Sequence, residues 1–328
     1  MNRKSILPIA LIALVIIGVI VGICIGASGA KKVGICVHDL SDQTTKEYAE
    51  VLYSRLSIDG YEVSLVDAKN DQSLQNSQIQ EWIKEKYAAV IISPVMVSAV
   101  AETVEIAKTA DMPLLLINKP VSSLDFGDYE KACYVGSPDG QWGNLLGQAI
   151  LELPNQADMN GDGVISYLLV QDHSENAQKQ RGMEELLQNL QNANANTNQI
   201  RQFFVERMQS ESTTCCAQAL AQYGKDIEMI ICDSEACVLG AIQAIKDGGR
   251  VVGRDIYLVS NGDTQQVLQE VEKGNITAVI HRDRNSLIEK TAEVLKQLLA
   301  GQSPEAVNLV DYVTLTPENV SQYIQPQE

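Results

Sequence analysis

Val33-Gly34-Ile35-Cys36-Val37 opens a run of short apolar segments that alternate with amphipathic ones. Five continuous apolar residues are too few for a buried helix and read as a strand covered on both faces. Thr45–Ser57 follows, with Tyr48, Val51, Leu52 and Leu56 at helical spacing. The alternation continues outward. Tyr61–Val66 predicts a strand, Ser73–Lys86 a helix, Ala88–Ile92 a strand, Val97–Ala110 a helix and Leu114–Ile117 a strand. A βαβαβαβ order with continuously apolar strands predicts a parallel sheet with helices on both faces. The pattern restarts with strands at Ile165–Val170, Ile200–Val205, Glu228–Cys232, Ile256–Val259 and Thr277–Ile280. Helices at Asn176–Leu190, Ser212–Tyr223, Glu235–Lys246, Thr264–Lys273 and Leu287–Leu299 accompany them. The fold class is therefore α/β, as two doubly wound parallel-sheet lobes. Ligands of such sheets bind at the carboxyl ends of the strands. Asn/Ala-rich Gln191–Gln199 reads as a surface loop.

The 328 residues carry 42 acidic against 25 basic side chains, a net charge of −17. A phosphate-backbone binder needs a basic face, so nucleic acid is excluded as a partner. Aromatics are 5 % of the chain, which leaves few stacking platforms. Arg3 and Lys4 precede the apolar run Ile6–Ile25, about the length that spans a bilayer. A retained membrane anchor is expected. A signal cleaved near Ala27-Ser28-Gly29-Ala30 and lipidation at Cys24 are the other two readings. Each delivers the rest of the chain outside the cytoplasmic membrane. The seven cysteines follow no disulfide or zinc spacing, and Cys36, Cys133 and Cys232 sit in strand-like stretches as small hydrophobes. No G-x-S-x-G, P-loop, HExxH or strand-linked G-x-G-x-x-G occurs, so an enzyme is not expected.

The sharpest motif is Asp158-Met159-Asn160-Gly161-Asp162-Gly163-Val164-Ile165-Ser166. Oxygen side chains stand at loop positions 1, 3, 5 and 9, a backbone carbonyl at 7 (Val164), and glycine at the sharp turn, 6. That is the spacing Ca²⁺ takes from an EF-hand-type loop. Position 12, where a bidentate acid belongs, is Leu169, and the residues after the loop are strand-like. An ordinary Asp/Asn/Gly turn without metal is the alternative.

Loop, strand and bilobed pattern together resemble the periplasmic glucose/galactose-binding protein family of ABC importers. Four stretches carry the resemblance: Asn70–Ile79, Leu114–Lys119, Tyr129–Gly136 and Val310–Val320. It covers essentially 32–324, and what it implies is the following. The missing Ca²⁺ ligand is Glu228. The chain crosses between lobes near Gly136, Asn285 and Tyr312. The segments are then 1–31 as signal or anchor, 32–135 with 285–311 as lobe one, and 136–284 with 312–328 as lobe two. Tyr129–Gly136 is itself the first crossover. The solute ligands are Asp42, Asn118, His173, Glu175, Lys179 (or Arg181 without a gap), Ser234, Asn261, Asp263 and Arg282. Read alone, His173 is an ordinary loop histidine, and Lys179 and Arg282 are solvated charges. The two stacking aromatics of the family are not matched; Thr44 and Gln209 hold those places, and Phe203 and Phe204 read as core. The resemblance implies a monomer that closes on a small polar solute, a sugar or a derivative such as a uronic acid, sugar phosphate or cyclitol. Its partner is an importer permease, or alternatively a membrane sensor.

Overall fold

The computed structural model describes residues 29–173, 177–206 and 208–324. The apolar run Ile6–Ile25 with Cys24, and Glu175, lie outside the described residues. Among the described residues no helix is long and apolar enough to cross a membrane.

Lobe one starts with β1 (Lys32–Val37), α1 (Gln43–Ile58), β2 (Glu62–Asp67), α2 (Gln72–Lys84), β3 (Ala89–Ile92), α3 (Val100–Thr109), β4 (Leu114–Ile117) and β5 (Ala132–Gly136). Lobe two follows with α4 (Gln141–Leu151), β6 (Ile165–Asp172), α5 (Ala177–Asn192), β7 (Thr197–Val205), α6 (Gln209–Tyr223), β8 (Met229–Cys232), α7 (Glu235–Asp247), β9 (Tyr257–Asn261), α8 (Gln265–Glu272) and β10 (Ala278–His281). Then come α9 (Arg284–Leu299), β11 (Val307–Leu309) and β12 (Val313–Leu315).

Two six-stranded sheets result, ordered β11-β5-β4-β3-β1-β2 and β12-β10-β9-β8-β6-β7. All pairings are parallel except β12 with β10, an antiparallel edge. The chain changes sheet between β5 and β6, between β10 and β11, and between β11 and β12. Helix α9, which follows β10, packs on α1, β4 and β5 of the first sheet. The inner strands are buried along their whole length, as in β3, β4 and β8. Each sheet carries an apolar cluster on both faces, such as Leu52, Leu115 and Leu295 on one and Val90, Leu116 and Val104 on the other in lobe one. Each such side chain contributes roughly 1.5–3 kcal/mol on burial.

Several readings change. Tyr129–Gly136 ends in the interior strand β5, and the crossover comes after it. Gln191–Gln199 is a loop only in its middle, because α5 runs through Asn192 and β7 starts at Thr197. Phe203 packs against the core, but Phe204 is 62 % exposed. Neighbours on an edge strand point to opposite faces, so both cannot be buried. Helix α4, which was not read from the sequence, has Trp142, Leu146, Ala149 and Ile150 at helical spacing on a buried face that also includes Gly143 and Gly147. These glycines admit α5. A Cβ on Gly143 would stand 1.5 Å from the Gly182 carbonyl oxygen, and one on Gly182 1.9 Å from the Trp142 ring.

Candidate ligand-binding cleft

The carboxyl ends of both sheets face a cavity of about 870 Å³. Lobe one lines it with His38, Asp42, Thr44, Tyr48, Asn118 and Lys119. From the other side come Asp172, Gln178, Lys179, Gln209, Ser234, Glu235, Arg282 and Arg284. Many of these residues stand where a strand ends and a helix begins, so they also cap helices. Asp42 caps α1, accepting from Thr45 N at 2.8 Å. Ser234 caps α7, accepting from Cys237 N at 3.4 Å.

The lobe-one wall is built on Ser93, which is fully buried. Its hydroxyl meets His38 Nδ1 at 2.8 Å and receives Asn118 Nδ2 at 3.3 Å. Buried Gln75 holds the same turn, donating to Ser93 O at 3.0 Å and accepting from Val95 N at 3.1 Å. Asn118 ends β4 with φ 69°, a left-handed conformation asparagine tolerates. Lys119 donates to Val95 O at 2.7 Å, and burial pushes its pKa down. Burial, then the Lys119 charge, lower that of His38.

On the facing wall, Asp172 ends β6 and pairs with Lys179 from the first turn of α5. The Asp172 N–H donates to Asp233 Oδ1 at 2.8 Å. Burial raises the Asp233 carboxyl to about 6, against the lowering effect of Lys179. Glu235 accepts from Thr264 Oγ1 at 2.5 Å, and burial raises its pKa as well. Asp263 accepts a two-point fork from Arg284, Nε to Oδ2 at 2.9 Å and Nη2 to Oδ1 at 3.0 Å. Arg282 lies 3.5 Å from the same carboxylate. Burial alone would raise the Asp263 pKa; Arg282 and Arg284 outweigh it and hold it low. Arg284 also reaches Glu47 of α1 at 3.2 Å, tying the lobes together near the hinge.

Asp42, Asn118, Lys179, Ser234 and Arg282 thus meet around one cavity. Asn261 and Asp263 line an adjoining space of about 250 Å³ that shares Lys179, Ser234 and Arg282. His173 is elsewhere: its side chain is 70 % exposed and faces Glu206 at 3.2 Å. Arg181 is 60 % exposed and pairs with Asp139 at 2.8 Å. Of the two registers, the one through Lys179 reaches the cleft. Glu175 is outside the described residues. Thr44 and Gln209 do line the cavity, so no ring stands at either place. Asp172, Glu235, Lys119 and Arg284 were missed. Asp172 had a readable signal, an acid just past an apolar strand at its carboxyl end. Arg284 had none, since its partners Asp263 and Glu47 are remote in sequence.

The acidic loop lies at the other end of lobe two. Asp158 accepts from Gly161 N at 2.7 Å and Gly163 N at 2.8 Å. Asn160 accepts from Asp162 N at 2.8 Å, and Asp162 from Val164 N at 2.9 Å. Glu228, 1 % exposed, accepts from Met159 N (2.8 Å), Asn160 N (2.9 Å) and Ser166 N (2.9 Å). The structure therefore brings Glu228 onto the loop, as a backbone acceptor. Among the described residues no three of His, Cys, Asp and Glu are grouped to hold a metal ion. The donor set, all oxygen and including three carboxylates, suits a hard cation such as Ca²⁺.

A family model described as a periplasmic binding protein domain matches residues 33–303. The D-galactose/methyl-galactoside binding periplasmic protein of Haemophilus influenzae is 22 % identical, over 92 % of this chain and 96 % of its own. The xylitol-binding protein of Mycolicibacterium smegmatis is 22 % identical, over 91 % and 80 %. Among solved structures, an ABC transporter solute binding protein from Bacillus halodurans with bound myo-inositol superposes with a TM-score of 0.68. It is 21 % identical, covering 91 % of this chain and 99 % of that one. The periplasmic ribose ABC transporter structure from Conexibacter woesei reaches 0.71 at 17 % identity, covering 90 % and 95 %. At these identities the structures establish the fold. With the family model spanning both sheets and a cleft between their carboxyl ends, the chain belongs to the periplasmic binding protein family, whose members are solute-binding proteins and not enzymes.

Proposed function

We propose that this protein captures a sugar or sugar-derived polyol outside the cytoplasmic membrane and presents it to the permease of an ABC importer. The observation that carries this reading is the cavity of about 870 Å³, lined from both lobes by hydrogen-bonding side chains. Such a space suits a solute of hexose size, held by hydrogen bonds to Asn118 and charge-assisted ones to Asp42 and Lys179. The lobes, 32–135 with 285–311 and 136–284 with 312–328, close on the solute as one monomer hinging at the crossovers. A thermal-shift screen against neutral sugars, sugar acids and cyclitols tests it. A ligand at 100 times its Kd adds about 2.7 kcal/mol to the folded state. A panel that leaves melting unchanged at saturating concentrations removes the reading.

Two parts of the reading concern other regions. Ca²⁺ is held by Asp158, Asn160, Asp162, the Val164 carbonyl, Ser166 and Glu228, in a structural role. Support comes from the burial of Glu228 against this loop. Chelator lowers the melting temperature if this is right, and indifference to both chelator and added Ca²⁺ refutes it. Residues 6–25 anchor the protein to the membrane, on the strength of their apolar run. Cell fractionation with a mass measurement of the mature N-terminus decides this, a soluble form starting near Ser28 being the contrary result.

A further inference from the structure

At the hinge end of the cleft, a guanidinium that makes no hydrogen bond among the described residues shares a small space with a buried hydroxyl that has no partner there. Arg282 follows β10, and its side chain is 27 % exposed. It makes no hydrogen bond among the described residues. The nearest carboxylate, Asp263, stands 3.5 Å away with both oxygens already taken by the Arg284 fork. Arg284 has a second carboxylate in Glu47 at 3.2 Å, whereas Arg282 faces Asp263 without a hydrogen bond of its own. Ser137, just past β5, is 6 % exposed, and its hydroxyl has no partner. Both residues line a small enclosed space of about 10 Å³, together with Tyr48, Asn118, Gln178 and Tyr312. Tyr48, Asn118, Gln178 and Arg282 also line the main cavity, so the small space is its deep end. On the lobe-one wall, the Lys119 ammonium donates to the neutral Val95 carbonyl.

We infer that the captured solute carries a carboxylate and docks it at this deep end, one oxygen between the Arg282 guanidinium and the Ser137 hydroxyl. The class is a sugar acid, a hexuronate or aldonate, and the inference rests on the sugar-capture reading above. A half-buried guanidinium without a hydrogen bond and a buried, orphaned hydroxyl are both unfavourable, and an anionic oxygen satisfies both. A space of about 10 Å³ admits roughly one oxygen-sized group. A carboxylate that places one oxygen there has one more to house beside the space, whereas a phosphate monoester has two more charged oxygens. The hydroxyls of the solute then face Asp42 and Asn118.

Calorimetry with D-glucuronate, D-galacturonate and D-gluconate against D-glucose, D-galactose and glucose 6-phosphate tests this. At least one acid is expected to bind about tenfold or more tightly than its neutral counterpart and than the phosphate. Arg282→Gln weakens that acid about tenfold or more and the neutral sugar less than about threefold. Ser137→Ala weakens the acid by about three- to tenfold. Arg282→Lys keeps the charge without the fork, and an intermediate loss is expected; it also decides the matter if the glutamine variant fails to fold. Neutral sugars binding as tightly as their acids overturn the inference alone and leave sugar capture standing. So does an acid whose affinity ignores Arg282→Lys and Ser137→Ala, which is the result if the deep space holds only a water. If no sugar or sugar acid binds, both readings fall together.

Discussion

Glu228→Ala tests whether the acidic loop depends on one carboxylate brought to it from β8's leading edge. Glu228 is 1 % exposed and accepts three backbone N–H groups, at 2.8, 2.9 and 2.9 Å. Bonds to a charged acceptor are worth about 1.5–3 kcal/mol each. The Met159 and Asn160 donors lie on a loop that water reaches, so solvent replaces much of their loss. The Ser166 donor is in the buried start of β6 and stays orphaned, at about 1–3 kcal/mol. A cavity adds to this, while alanine relieves the desolvation of the carboxylate. The net loss expected is about 3 kcal/mol in chelator. Glu228→Gln keeps one accepting oxygen but sets an NH₂ group against a donor, for a loss of about 2 kcal/mol. Urea unfolding followed by circular dichroism, with chelator and with excess Ca²⁺, reads both. A loss under about 0.5 kcal/mol in chelator would refute the argument that Glu228 organises the loop. With Ca²⁺, the wild type gains stability and the alanine variant does not.

Gly143→Ala drives a methyl into the Gly182 carbonyl, which cannot swing away. A loss of about 3 kcal/mol is expected in thermal melting, and a variant as stable as the wild type would show that α4 and α5 are not in contact. Asp233 titrates upward, at about 6 in the folded chain against roughly 3.9 unfolded. The folded state then holds the extra proton, so this carboxyl's contribution is full below about pH 4 and declines as pH rises to about 6. Asp233→Asn removes that decline, roughly 2–3 kcal/mol, and a pH series of melting curves in which variant and wild type run parallel from 4 to 7 contradicts it. Burial raises the thiols of Cys36 and Cys237 to about 12 and of Cys133 to about 11, whereas a hydrogen bond from Cys216 lowers that of half-buried Cys215. Disulfide-exchange labelling of the native protein, read by peptide mass, should mark Cys215 first among these; early labelling of Cys36 or Cys237 would be the contrary result.

The strand–helix alternation was legible because each inner strand is apolar throughout and each helix keeps one apolar face. That periodicity is local, and burial on two faces dictates it. It led to two α/β lobes and to ligands at the strand ends, where Asp42, Asn118, Ser234 and Arg282 do meet. The acidic loop was legible for the same reason, its oxygens lying within nine residues. Helix α4 was missed although Trp142, Leu146, Ala149 and Ile150 carry the helical period; what the sequence did not show is that Gly143 and Gly147 mark its contact with α5. Edge position, which leaves Phe204 exposed, is a property of the sheet and not of the strand.

Which charges pair was beyond the sequence. Lys179 and Arg181 sit two residues apart, yet the helix directs one to Asp172 in the cleft and the other to Asp139 outside it. Asp263 was readable as an acid of the site, but the Arg284 fork that occupies both its oxygens comes from the start of α9, past the next strand. The sequence by itself determined the two sheets and the residue types at their carboxyl ends. Only the tertiary structure decided that Arg282, beyond its ion pair with Asp263, makes no hydrogen bond among the described residues and shares a small space with the orphaned Ser137 hydroxyl. Hydrogen bonds between groups more than a hundred residues apart depend on ångström positions that the folded packing alone sets.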